Sequence, residues 1–182
     1  MTIKAAAGCL PVCINKDGEI MFLFGLESPC ESSAKGWSDF AGGMEKDERN
    51  VYSAALREMS EETSGFLGGP VDIDRLIKAN GGYLKVVYDN SGSKYHIHIF
   101  KLEYDEKLLK YYNANHKYLY KQVNHDVLKS TNVFEKIKLE WFTIDMMRLR
   151  RKEFRPFYRV ILDSLINESV NIKKFIRSSS KP

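Results

Sequence analysis

The sequence predicts an α/β sandwich with a mixed β-sheet, and three observations predict it. Strand-like runs recur at residues 4–14, 19–25, 82–88, 94–103 and 134–145. Helical spacing separates them, in a segment after Asn50 and at 71–80, 105–123 and 156–168. At 182 residues, with 43% hydrophobic and 29% charged side chains, the chain has material for one real core. Residues 1–170 read as a single domain and 171–182 as a C-terminal tail, ending in the mobile RSSSKP. There is no internal repeat and no low-complexity block. No stretch approaches the roughly 18 apolar residues of a membrane span. The N-terminal MTIKAAAGCLPVCINKDG lacks the layout of a signal peptide and reads as a first strand.

The elements follow in order. Residues 4–14 and 19–25 form strands joined by a turn at Lys16-Asp17-Gly18. Cys9, Cys13 and Cys30 are an odd number at no metal-site spacing, which points to reduced thiols and a cytoplasmic setting. Glu27 to Gly36 is polar and irregular, a loop bordering a site. Trp37 and Phe40 come next: they either stack on a nucleobase or pack beneath the helix that follows. After Gly68-Gly69-Pro70 a short helix covers 71–80. Residues 82–88 and 94–103 make a hairpin across Asn90-Ser91-Gly92-Ser93. Its second strand puts His96, His98 and Phe100 on one face and Tyr95, Ile97 and Ile99 on the other. The two histidines have no third ligand at a telling distance, so they read as strand histidines rather than a zinc site. Residues 105–123 are rich in Lys and Tyr and partly helical. They are either a solvated insertion or a bank of cations (Lys107, Lys110, Lys117 and Lys121) facing phosphates. The run from Arg148 to Arg155 is either a polyanion patch or a solvated helix face. The formal charge of +4 suggests an anionic partner only weakly.

The chemistry concentrates between Gly42 and Gly65, in GGMEKDERNVYSAALREMSEETSG. With Asn50 as N-cap, a helix places Glu61 and Glu62 on the same side as Glu58, three and four residues on. Val51, Tyr52, Ala55, Leu56 and Met59 fall on the adjoining, packing arc. Like charges at these spacings repel, and a divalent cation would offset that cost. Carboxylate oxygens are the preferred ligands of Mg²⁺. The glycine pair ahead of the helix permits close backbone approach to a metal or phosphate.

This segment resembles the Nudix box: Gly42, five residues, Glu48, then Arg57, Glu58, Met59, Glu61 and Glu62 in order. The preceding GWSDFAGG (36–43) resembles the approach to the box in eukaryotic and large-DNA-virus members. Two departures stand out. Eight residues rather than seven separate Glu48 from Arg57, and Ser64 stands where glycine is expected, with Gly65 one place late. Counted back from Arg57, the extra residue, Arg49, falls in the loop and leaves the helix register intact.

The resemblance implies a Nudix-type α/β/α sandwich and metal-dependent hydrolysis of a phosphoanhydride, with Mg²⁺ or Mn²⁺ as cofactor. It implies Glu58 and Glu62 as principal ligands, Glu61 as ligand or base, and the Gly42 carbonyl as a further ligand. Arg57 would orient the glutamates with Glu48 as its partner. The stretch 134–145 resembles the family's last core strand, where an upstream glutamate assists; Glu135 is the candidate and Glu140 its rival. Trp37, Phe40, Lys117 and Lys121 are the candidate substrate contacts. The WSDFAGG approach, the Lys/Tyr-rich segment and the basic run resemble virus-type members, some of which cleave RNA caps. Capped RNA is therefore the leading substrate, with a dinucleoside polyphosphate or a diphosphoinositol polyphosphate as the alternative. A binding module with a degenerate box, without turnover, is the reading of another class.

Overall fold

Strand β1 (Ala5–Ile14) is the axis of the sheet. In the computed structural model, which describes residues 5–29, 35–90, 93–124, 126–127 and 134–178, β1 bonds to three other strands. It runs antiparallel to β2 (Ile20–Glu27) and β4 (Phe40–Gly43), and parallel to β6 (Ser93–Lys101). β3 (Trp37–Ser38) and β7 (Lys136–Thr143) pair with β2, and β5 (Tyr83–Asn90) pairs with β6, all antiparallel. The seven strands form one mixed sheet, as the sequence predicts.

Alternation along the strands builds two cores, one on each face. Ala7, Cys9 and Cys13 of β1 face the same side as Leu23, Phe100, Leu139 and Trp141. On that side lie α1 (Val51–Glu62), α2 (Pro70–Ala79) and α3 (Glu106–Gln122), with Met59, Ile73, Ile77 and Tyr112 buried between the layers. Leu10 and Val12 join Phe22, Phe24, Ile97, Ile99 and Phe142 on the opposite face. That face is covered by α4 (Ile144–Leu149), a 3₁₀ turn at Arg151–Glu153, α5 (Tyr158–Asn167) and α6 (Ser169–Ser178). Edge-on aromatic contacts knit this second core, Phe24 lying 5.5 Å from Phe142 and 5.0 Å from Phe154 between ring centroids. The result is an α/β/α sandwich.

One boundary differs from the sequence reading. Residues assigned to a tail from 171 onward continue as α6 to Ser178, with Ile172 and Ile176 fully buried. These two isoleucines sit one helical turn apart, with partly buried Phe175 beside them, among Asn, Lys and Ser. So short a stripe is easily taken for a solvated segment. The polar loop expected at 27–36 starts later, because β2 runs through Glu27; residues 30–34, with Cys30, lie outside the described residues. Cys9 and Cys13 are buried free thiols, and burial pushes Cys13 up to about 12. No helix among the described residues is long and apolar enough to cross a membrane.

Candidate active site and metal centre

The site begins at the start of α1. The Asn50 side chain accepts from the amides of Tyr52 and Ser53, each at 3.0 Å, and fixes where the helix begins. Arg49 is absorbed in the loop before it, as its register implies. Arg57 still reaches Glu48, with Nε donating to Oε1 at 2.9 Å. The same guanidinium donates to the Gly43 carbonyl at 2.9 Å and to Glu61 Oε2 at 2.9 Å, and lies 2.7 Å from Glu58 Oε1. Arg57 thus ties the loop, the glycine strand and two glutamates to one planar cation. The helix closes in a Schellman motif: the Gly65 amide donates to the Ser60 carbonyl and the Ser64 amide to that of Glu61. Ser64, in the glycine position, takes φ +51°, and its hydroxyl bonds His116 Nε2 at 3.1 Å.

Glu58 and Glu62 turn inward from α1 and are buried. Gly42 is needed beside them, since a Cβ there would sit 2.1 Å from Glu58 Oε1. Glu62 Oε2 accepts from the Ala41 amide at 2.9 Å. Glu135, at the entry to β7, completes the group: one oxygen each from Glu58, Glu62 and Glu135 lie within 4.8 Å of one another. Glu140 is elsewhere, paired with Arg150 at 2.5 Å and Lys138 at 2.8 Å. The structure therefore separates the two rivals and brings Glu135 to the box.

A cation of the chain's own lies behind this trio. Lys136 is fully buried and pairs with Glu27; its Nζ is 3.3 Å from Glu62 Oε1 and donates to the Ser38 hydroxyl at 2.8 Å. Its alkyl stem crosses Gly25, where a Cβ would meet it at 2.8 Å. Arg155 donates to Glu27 Oε1 at 2.7 Å from the other side. Burial pulls Lys136 down, but Glu62 and Glu27 outweigh it and the net effect is upward. Burial also raises the carboxyls of Glu58 and Glu62, the latter well above the usual range despite Lys136. Burial is the first cause of both shifts, with Arg57 and Lys136 opposing it. Three crowded hard oxygen donors could hold a divalent metal ion.

The NUDIX domain family profile matches residues 2–165. The chain belongs to the NUDIX family. The family match supports a pyrophosphohydrolase. RenU, a Nudix hydrolase from M. smegmatis, superposes with TM-score 0.53 at 14% identity, covering 93% of this chain and 88% of that one. The NUDIX domain of Shewanella oneidensis NrtR, crystallised with ADP ribose, gives 0.51 at 8% identity over 93% and 90%. An Ap4A hydrolase from C. elegans gives 0.49 at 16% identity over 93% and 99%. Curated proteins compared by sequence give no match.

Other residues singled out in this Nudix chain land differently. Glu61 stays outside the trio, about half exposed, with Oε2 on Arg57. Trp37 and Phe40 are not stacking platforms: Phe40 is fully buried under α1 and Trp37 is 3% exposed in the opposite core. Trp37 packs edge-on to Phe142 at 5.0 Å, with Lys138 and Arg150 each 5.5 Å from its ring centre. The basic run is not a free polyanion patch either. Arg148, Arg150, Arg151 and Arg155 pair with Asp145, Glu140 and Glu153, Asp163 and Glu27, respectively. Lys117 and Lys121 remain exposed on α3. His98 is buried, its Nδ1 3.2 Å from the Gly8 carbonyl, and burial pulls its pKa to about 4.

Sequence reasoning missed Lys136, Glu27 and Arg155, and also Tyr112, whose hydroxyl donates toward the Glu62 and Lys136 carbonyls at 2.9 and 2.7 Å. A lysine opening a strand next to a glutamate reads as solvated. Only the small residue across the sheet, Gly25, hints that a stem must pass there.

Proposed function

We propose that the chain hydrolyses the phosphoanhydride of a nucleoside-diphosphate-linked substrate using Mg²⁺ or Mn²⁺ held by Glu58, Glu62 and Glu135. The observation that carries this is their convergence, from α1 and from the entry to β7, to within 4.8 Å. A divalent ion there supplies charge neutralisation at the phosphates and lowers the pKa of water. The chain's own groups do the rest. Arg57 holds Glu58 and the Gly42–Gly43 strand in register, and Gly42 leaves room for the Glu58 carboxylate and offers its carbonyl as a further ligand. Lys136 keeps Glu27 and Glu62 from repelling each other. Glu61 has Oε2 committed to Arg57, which leaves Oε1 to accept the attacking water's proton.

For the substrate we take the RNA cap as the specific reading, with release of the cap nucleoside diphosphate. The likeness of the WSDFAGG approach, the Lys/Tyr-rich segment and the basic run to virus-type members, and the exposed Lys117 and Lys121, support it. A small dinucleotide is the second reading, favoured because the arginines of 148–155 are already neutralised by acids and offer little to a long polyanion.

One assay tests both. Cap-labelled RNA, free cap dinucleotide, a dinucleoside polyphosphate, ADP-ribose and a diphosphoinositol polyphosphate are turned over with Mg²⁺ and with Mn²⁺, each beside Glu62→Gln. Loss of one charged ligand is expected to cost about 3–4 kcal/mol of transition-state stabilisation, a fall of 10²–10³ in rate, with the fold intact. An unchanged rate in Glu62→Gln would remove the assignment. Cleavage of capped RNA but not the free cap dinucleotide supports decapping, and preference for a small substrate rejects it. No turnover with either metal would favour the binding module.

A further inference from the structure

Helix α3 turns a face to solvent that the chemistry at the acid trio does not use. At about 100° per residue, Lys107, Lys110, Lys117 and Lys121 fall with Tyr111 and Tyr118 inside one arc of about 120°. Ala114 shares that arc and no acid does; all of these side chains are exposed. From Lys107 to Lys121 the face runs about 21 Å along the helix axis.

A merely solvated helix face interleaves the two signs of charge, and α2 does so. There Lys78 pairs with Asp74 at 2.6 Å and Arg75 lies 3.6 Å from Asp72. On α3, Lys117 and Lys121 stand at the four-residue spacing where like charges repel. None of the four lysines forms an ion pair among the described residues. Tyr111 is 58% and Tyr118 63% exposed, and neither ring meets another ring among the described residues. The face is also fixed in place. On the inner side of α3 the Tyr112 hydroxyl bonds the Glu62 and Lys136 carbonyls, and Asn113 bonds both the amide and the carbonyl of Leu139, at 2.8 and 3.0 Å.

A partner for this face must carry repeated negative charge and flat groups that can lie on the tyrosine rings. An anionic bilayer supplies the charge, but a helix that settles into one carries large apolar side chains opposite its cations, and Ala114 is the one aliphatic residue of the arc. A run of acidic side chains matches the lysines and leaves the rings unused. An RNA duplex keeps its base faces stacked inside. A single strand offers a phosphate at every step and unstacked bases, which stack on aromatic rings whatever their identity. We propose that the outward face of α3 binds single-stranded RNA along its chain, independently of the 5′ end and of metal. The choice of RNA over DNA rests on the capped-RNA reading above; the binding itself does not. The lysines hold phosphates, while Tyr111 and Tyr118, about 10 Å apart along the axis, take bases. A long polyanion then has no need of the arginines of 148–155, which are spent on acids.

The test is fluorescence anisotropy on the full-length chain with a chelator present, so that binding is read without turnover. The probes are an uncapped single-stranded RNA long enough to span the face, the same sequence as DNA, the corresponding RNA duplex, and polyglutamate. With four phosphate contacts, affinity for the single strand should fall roughly fiftyfold between about 50 and 200 mM salt. Lys110→Gln/Lys117→Gln is expected to halve that salt slope, by about two phosphates. Tyr111→Ala/Tyr118→Ala is expected to weaken binding by about tenfold or more at either salt concentration, with the slope unchanged. Tyr111→Phe/Tyr118→Phe, which keeps both rings, should bind like the wild type. All are surface positions, and circular dichroism checks that each variant folds. A single strand bound equally by every folded variant would overturn the proposal. So would duplex RNA or polyglutamate bound as tightly as the single strand, and DNA bound more tightly than RNA would overturn the choice of RNA. Turnover of capped RNA without this binding would remove the α3 surface and keep the hydrolase. Binding as expected in a chain that turns nothing over would remove the hydrolase and keep the surface.

Discussion

Lys136 sits between two acids, Glu27 and Glu62, with no water-facing surface. Removing a buried partner strands the charges it served, which is costlier than the pair itself was favourable. Lys136→Met should therefore destabilise the fold by about 3–5 kcal/mol, read as a lower urea midpoint with unchanged slope. Adding Glu27→Gln should recover part of that loss, because one stranded charge disappears. Asp39 makes a different kind of statement. It is buried beside Tyr95, whose hydroxyl donates to it at 2.5 Å. Burial raises its carboxyl from 3.8 to about 7, against Tyr95, Lys136, Tyr158 and Arg155, which all pull it down. An acid that is weaker in the fold than in the unfolded chain binds more protons when native. Its contribution is thus complete below about pH 4 and is lost as pH rises to about 7. Asp39→Asn should cancel that slope, gaining on the wild type by up to roughly 1.4 kcal/mol per pH unit in this window. Urea titrations of both proteins from pH 4 to pH 8 would measure it, and parallel curves would show that Asp39 does not titrate there.

At the scale of elements, the helix carrying the box was the most legible part of the chain. Its cap, its packing arc and its glutamate register all follow from local spacing, and Asn50, Met59 and Glu62 sit where that spacing puts them. The closing helix α6 was not legible. Ile172, Phe175 and Ile176 make a stripe only one turn long, too short to announce a buried face, yet both isoleucines are fully covered. If that burial matters, ending the chain after Asn167 should uncover the sheet face beneath α6. Each lost isoleucine contact is worth about 2–5 kcal/mol by analogy with truncation to alanine. A thermal melt of the shortened chain should show a clear fall in midpoint; an equal midpoint would make α6 an ornament. Trp37 and Phe40 illustrate the opposite error. Next to a site, an aromatic residue tempts a functional reading, and only the sheet pairing shows that both rings point into core.

The whole molecule explains why the fold was easier to read than the site. Strand alternation and helix spacing are local, so the mixed sheet and its two covered faces could be predicted. The charge network joins Glu27, Glu62, Lys136 and Arg155 across β2, α1, β7 and the segment before α5, and no local pattern encodes that meeting. Because the acid trio comes from both α1 and the entry to β7, an ion bound there stabilises the native state alone. Mn²⁺ at about a hundred times its dissociation constant should add about 2.7 kcal/mol, and Glu62→Gln should lose that increment, measured against its own metal-free midpoint. Equal shifts in both proteins would place the ion elsewhere. The parallel pairing of β1 with β6 carries a consequence for how the chain is made. Ala5 waits for Lys94 and Val12 for Lys101, and such distant partners close slowly. A nascent chain that has released the box already has β1, β2 and β4 to pack it against but lacks β6 and β7, and the third carboxylate arrives later still, with residue 135. During synthesis, the box is complete well before the residue that finishes its acid trio.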